Sequence, residues 1–146
     1  IILDAFNGDY IPEHLMTQEF LTEVQSLLTP DGVLVANTFA SSDLYAHESN
    51  TYKEVFGKFI NLKGRDSGNR VVIVPQGSVS AAQRTPISKD SLLAQADRLA
   101  PLLAPYAVPI RRLAKDILKS VDAPADWDQN KRALTDQYSP ANLLRN

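Results

Sequence analysis

The sequence of 146 residues predicts an α/β domain whose sheet is parallel on one side and ends in an antiparallel edge hairpin. Three observations predict it. Ile1-Ile2-Leu3-Asp4 is an apolar run stopped by an acid, as the carboxyl end of a buried parallel strand reads, because helices cover both faces of such a sheet. A helical stripe and a second β-branched run follow it within about 40 residues, the size of one βαβ unit with a right-handed crossover. Two later runs flank a turn rich in Gly, Asp, Ser and Asn, as hairpin strands do.

The first strand opens the chain with no Met and no lead-in, so the sequence reads as starting inside a strand of a larger domain. Ligands of open α/β sheets sit just outside the carboxyl ends of the strands. Asp4 therefore stands where a catalytic or binding acid would stand; it also suits a cap on the turn that follows. In the loop Ala5-Phe6-Asn7-Gly8-Asp9-Tyr10, the rings of Phe6 and Tyr10 suit the walls of a small-molecule pocket or simple loop packing. Asn7-Gly8 also supplies ordinary Asx-turn chemistry without any ligand.

The next stretch runs from Pro12 to Leu28, with Phe20, Val24, Leu27 and Leu28 as its apolar stripe. Thr17 suits the N-cap, and Glu19 in the first turn is favoured by the helix dipole. Thr29-Pro30-Asp31-Gly32 ends the helix. Val33–Phe39 is the second buried strand, and Ser41-Ser42-Asp43 opens a loop on the rim that holds Asp4.

Ser49–Gly57 reads as a short helix capped by Ser49, with Tyr52, Val55 and Phe56 inward and Gly57 at its end. Phe59–Lys63 and Arg70–Pro75 are the hairpin strands. A helix capped at Ser88 carries Leu92, Leu93, Ala96, Leu99 and Leu103, and Pro101 is expected to kink or shorten it. Pro109–Lys119 is a further helix with Pro109 in its first turn. The stretch after Ala123, with Trp127, Tyr138 and Leu143-Leu144, is too apolar for a solvated tail and is expected to pack back on the domain. On this reading residues 1–76 form the sheet-bearing part and residues 77–146 a helical extension.

Composition narrows the chemistry. A net charge of −2 and a pI near 5.6 argue against nucleic acid as the main partner, since phosphate binding calls for a basic face. With no cysteine, disulfides and thiolate chemistry are excluded. Two histidines, His14 and His47, are too few for a histidine-rich metal site, and no metal is expected. No apolar run reaches the ~18 residues of a membrane span.

The opening resembles the spermidine synthase family, aminopropyltransferases built on a Rossmann-like, S-adenosylmethionine-dependent methyltransferase-type fold. There a strand ends in an acid and a loop leads to L-x-T-x-E-F at a helix start. Asp4 takes the acid position, and Leu15, Thr17, Glu19 and Phe20 take the helix-start positions at matching spacing. Asp31-Gly32-Val33-Leu34-Val35-Ala36 resembles the family's D-G-I-x-V-A turn and strand. Thr135-Asp136-Gln137-Tyr138-Ser139-Pro140 looks like the T-D-x-Y-x-P ending of longer bacterial members, some fused to a membrane transporter-like half.

The resemblance implies the C-terminal part of such a catalytic domain, with the nucleotide-binding half upstream and inactivity of this stretch alone. It implies transfer of an aminopropyl group from decarboxylated S-adenosylmethionine to a diamine such as putrescine, with Asp4 as general base. Asn7 and Asp9 become amine-binding groups, and Asp136 and Tyr138 rim residues. Asn7 stands where the family has its second acid. It also implies a homodimer, and a cytoplasmic enzyme or a cytosolic domain of a longer protein. Methyl transfer from S-adenosylmethionine and a non-catalytic binding or assembly domain are the other readings.

Overall fold

The computed structural model describes residues 1–6, 11–65 and 67–138. It forms two compact units: Ile1–Arg84 together with the stretch from Ala125 onward, and Thr85–Pro124.

The first unit carries a four-stranded sheet. In chain order it has β1 (Ile2–Leu3), α1 (Gln18–Leu27), β2 (Val33–Phe39), α2 (Tyr45–Phe56), β3 (Ile60–Lys63) and β4 (Asn69–Pro75). The strands lie in the order β1-β2-β4-β3. β1 runs parallel to β2, with Leu3 opposite Ala36. β4 is antiparallel to β2, from Val33 opposite Pro75 to Phe39 opposite Asn69. β3 pairs antiparallel with β4 as the hairpin's outer strand. This topology gathers the carboxyl ends of β1 and β2 and the amino end of β4 on one rim.

Burial follows the two-residue period of a strand. Leu34, Ala36 and Thr38 of β2 and Arg70, Val72 and Val74 of β4 are buried, while their neighbours are at most half-buried. In this unit the strands are thus buried on alternate residues rather than on both faces. Leu21, Val24 and Leu28 from the α1 side and Tyr52 and Phe56 from α2 complete that core. Each aliphatic side chain so buried contributes about 1.5–3 kcal/mol.

Thr17 caps α1 as the sequence predicts, its hydroxyl accepting the Phe20 N–H at 3.3 Å. The buried stripe differs: Leu21 is fully buried with Phe20 partly buried beside that core, whereas Leu27 is 76% exposed. Leu21, Val24 and Leu28 lie three and four residues apart on one face, and Leu27 is rotated off it. The larger difference is at α2, which begins at Tyr45, not Ser49. Ser49 is inside the helix, its hydroxyl donating to the Tyr45 carbonyl one turn back at 2.6 Å. That back-bond replaces the capping role expected of a serine. Gly57 closes the helix with φ +74°, a conformation that side-chain-bearing residues adopt at a cost.

Residues 125–138 pack into the same unit. Trp127 stacks on Phe59 with centroids 5.4 Å apart and donates to Asn50 Oδ1 at 2.9 Å. Asn50 Nδ2 donates to the carbonyls of Asp128 and Lys131. Leu134 is fully buried against Met16 and Leu44.

The second unit is a helical pair, α3 (Lys89–Leu103) and α4 (Ile110–Ser120). Ser88 caps α3 as expected. Ala96 and Ala114 are its buried residues, small enough to let the two helices approach closely. Pro101 does not end α3, which continues to Leu103 and then into a 3-10 turn, Ala104–Tyr106. So near a C-terminus the proline removes one N–H from the ladder and leaves the last turn intact. Pro109 is the N-cap of α4 rather than part of its first turn.

Candidate active site

Asp4 follows directly on β1 and is exposed on the rim. Its Oδ1 accepts a hydrogen bond from Asn37 Nδ2 at 3.1 Å. Asn37 Oδ1 in turn accepts from Asn69 Nδ2 at 3.4 Å. A polar row thus crosses β1, β2 and β4 and fixes the direction of one carboxylate oxygen of Asp4. The carboxylate is thus bonded on one side while the residue stays exposed.

Phe6, two residues on, meets Phe39 edge to face with centroids 5.2 Å apart. The loop leaving Asp4 is thereby set against the last residue of β2. Asn7, Asp9 and Tyr10 lie outside the described residues.

Behind the rim is a cavity of about 20 Å³ whose lining includes Leu3, Ala5, Asn37, Thr38, Glu48 and Tyr52. Its far wall holds a buried ion pair that the sequence reading missed. Arg70 Nη2 lies 2.8 Å from Glu48 Oε2, with the two side chains 0% and 4% exposed. The guanidinium also donates to Thr38 Oγ1 at 2.7 Å and Ser49 Oγ at 2.6 Å, and lies over the Tyr45 ring. Burial pushes the Glu48 carboxyl above the usual carboxylate range, with the Arg70 charge pulling against it. Burial, and then the charge of Glu48, likewise push the Tyr52 hydroxyl up. The signal for Arg70 was present in the sequence: it shares strand parity with Val72 and Val74, so it faces the core with them. Glu48 gave no comparable signal once α2 was started too late.

Asp136 and Tyr138 are placed at the start of α1. The Asp136 N–H donates to Glu19 Oε2 at 3.0 Å. Thr135 and Tyr138 exchange two backbone bonds, at 3.0 and 2.9 Å. Arg132 lies over the Tyr138 ring, which sits 6.1 Å from His47. Asp136 borders a polar groove of about 470 Å³ together with Glu13, His14, Glu19 and Glu23. The structure therefore joins Asp136 to Glu19 beside that groove, and Asp4 to Asn37 on the exposed rim.

No family model matches the chain. The chain is 51% identical over 146 residues to a polyamine aminopropyltransferase of Vibrio vulnificus (strain CMCP6), covering 99% of this chain and 45% of that protein. It thus spans less than half the length of this curated relative, matching its C-terminal part. Among solved structures, the human methyltransferase-like protein 13 in complex with SAH superposes with a TM-score of 0.50 at 19% identity, over 89% of this chain and 51% of that one. A probable spermidine synthase from Corynebacterium glutamicum ATCC 13032 aligns with a TM-score of 0.45 at 25% identity, over 90% and 48%. The fold is that of the C-terminal part of a Rossmann-like, methyltransferase-type domain.

Proposed function

The chain belongs with the spermidine synthase-like family as the C-terminal portion of its domain, and from that premise we propose that the whole gene product transfers an aminopropyl group to a diamine such as putrescine. One observation carries the reading. Asp4 is an exposed carboxylate at the end of a sheet strand, oriented by a single bond from Asn37 at 3.1 Å. The likeness to an aminopropyltransferase over nearly all of the chain supports it.

The attacking nitrogen must be neutral. Asp4 accepts its proton and positions it, so that the lone pair is directed at the carbon beside a sulfonium. As the C–N bond forms, the C–S bond breaks and its electron pair stays on sulfur as a neutral thioether. Decarboxylated S-adenosylmethionine supplies the aminopropyl carbon and that leaving group. An exposed carboxylate at the strand end fits a cationic co-substrate, and Asp4 would face its charged end. Phe6, set against Phe39 at 5.2 Å, offers the acceptor an apolar wall. In the sequence that follows, Asn7 offers it an amide and Asp9 a carboxylate of different reach.

The test is Asp4→Asn in the whole gene product. Loss of a general base lowers kcat by about 10²–10⁴, with the melting temperature nearly unchanged. Full activity in that variant, or collapse of folding, would assign Asp4 to the turn instead.

A further inference from the structure

The connector between α3 and α4 leaves an apolar surface exposed. From Leu99 to Ile110, twelve residues pass without a charged side chain, and the Tyr106 hydroxyl is the one polar side-chain group among them. Residues 104–109 are exposed in succession, as are Pro101 and Leu102. Leu102 is 66% and Tyr106 77% exposed, and Val108 and Leu113 are each more than a third exposed. An apolar run of this length is too short to cross a bilayer and reads as a core helix or an interfacial segment. It is not core here, for the unit buries Ala96 and Ala114, neither of them in the run. Consecutive exposed apolar residues mark a contact surface.

Cations border the run at both ends. Arg98 precedes it, Arg111 and Arg112 follow it with Lys115 one turn on, and no acid stands between Asp97 and Asp116. All four cations are exposed. Arg98 lies one turn before Leu102, so the two share a face of α3. Arg111 meets Asp97 at 2.5 Å, but both side chains are more than 60% exposed, so the pair is weak and the guanidinium stays within reach of another anion. The backbone of the run also has few free donors. Pro101, Pro105 and Pro109 carry no N–H. The Ala107 and Val108 N–H groups donate to the Ala104 and Leu103 carbonyls at 3.0 and 3.4 Å, and the Ile110 N–H donates to the Val108 carbonyl at 2.9 Å. An unmet N–H is costly where water is scarce, so this backbone suits entry into such a layer.

We propose that the α3–α4 connector is a docking tip that seats on the surface of an anionic phospholipid bilayer. Leu102, Tyr106 and Val108 enter the boundary of the acyl chains, with the Tyr106 hydroxyl kept at the level of the headgroups. Arg98, Arg111 and Arg112 meet the lipid phosphates around them. The tip rests on the bilayer and does not span it: among the described residues no helix is long and apolar enough to cross a membrane. Charge decides against a second copy of the chain as the occupant. A twofold contact sets each patch against itself, so the three arginines would face their own copies. Docking at this tip is independent of the amine-transfer reading.

The experiment is flotation of the whole gene product with vesicles of phosphatidylcholine mixed with phosphatidylglycerol, and with vesicles of phosphatidylcholine alone. The wild type floats with the anionic vesicles, binds the neutral ones about 10-fold more weakly or worse, and is released as salt is raised. Arg111→Gln with Arg112→Gln weakens anionic binding about 25-fold, about five-fold for each cation removed from the surface. Leu102→Ser with Tyr106→Ser weakens it about 10-fold or more, because the apolar insertion is lost. Both pairs are exposed, so the variants melt close to the wild type.

A wild type that floats with neither vesicle overturns the proposal, as a tip covered by the upstream part of the gene product would. Anionic binding kept by the folded serine pair also overturns it, by placing the lipid contact elsewhere. Self-association that the serine pair loses, with no flotation of the wild type, assigns the tip to a contact between copies instead. If the serine pair does not fold, Tyr106→Trp decides. Its added emission shifts to the blue with anionic vesicles and is quenched by brominated acyl chains. Added emission that does neither overturns the proposal.

Discussion

Glu48 and Arg70, 22 residues apart, meet at 2.8 Å in the interior with neither side chain more than 4% exposed. The pair ties α2 to β4 beneath the rim that carries Asp4. Its burial decides its energetics: the carboxyl is pushed up by desolvation more than Arg70 brings it down. Such a pair adds little net stability, yet removing one partner strands the other. Arg70→Ala should therefore cost about 3–5 kcal/mol, while Glu48→Gln with Arg70→Met should recover most of that loss. Urea melts of the three proteins check it, and equal losses in the single and paired variants would contradict it.

The stretch after α4 is joined to α2 by a different buried contact. Thr51 Oγ1 donates to the His47 carbonyl and accepts the Leu134 N–H, each at 2.9 Å. Thr51→Val keeps the shape but leaves the Leu134 N–H unmet. The expected cost is about 1–3 kcal/mol. Hydrogen exchange at the Leu134 amide should quicken more than exchange within α1, and uniform quickening would show a global effect instead.

Asp126 gives the pH dependence its sign. Burial works to raise its carboxyl, but the hydrogen bonds from Lys63 and Tyr45 hold it below the usual range. Its contribution is then full above the ordinary carboxylate value and lost as the pH falls through the lower folded value. Lys63 lies 2.6 Å away and both side chains are more than 40% exposed, so solvent screening keeps the contribution below ~1 kcal/mol. Asp126→Asn should lower stability by that amount at pH 7, and the difference should close as the pH falls well below about 4. A difference that persists in acid would contradict the sign.

Asn37 bonds Asp4 at 3.1 Å, and on the proposed reading of Asp4 as the base it is a positioning residue. Asn37→Ala removes that bond and leaves the carboxylate free to rotate. Misplacing a catalytic group by about 1 Å can cost 100-fold, so kcat should fall about 10- to 100-fold with KM changed less. Asn37→Gln, whose longer amide can reach the same oxygen, should restore part of the rate. A KM effect alone would place Asn37 in acceptor binding.

Much of the frame was legible because local patterns and packing agree. Val33–Phe39 has the same bounds in sequence and structure, Thr17 caps α1, and β3 and β4 form the hairpin. Asp4 was singled out from its place after an apolar run, and it is exposed at the end of β1. What stayed hidden depends on distant partners. His47, Glu48, Ser49 and Asn50 are polar and carry no apolar pattern, yet all four are buried. Their partners are Arg70, Arg132 and residues 127–131, up to 85 positions away. A polar run becomes core only when such partners arrive, and no periodicity announces them. Asn37 was hidden for the same reason: its role is set by Asp4, 33 residues back.

The most direct measurement incubates the whole gene product with decarboxylated S-adenosylmethionine and putrescine and follows both products by mass spectrometry. Methylthioadenosine and spermidine are expected in equal amounts from the wild type, with a loss of both in Asp4→Asn at unchanged stability. Neither product from the wild type, with S-adenosylmethionine bound tightly instead, would contradict aminopropyl transfer and favour methyl transfer. No product and no binding of either nucleotide would leave a non-catalytic domain that keeps the fold.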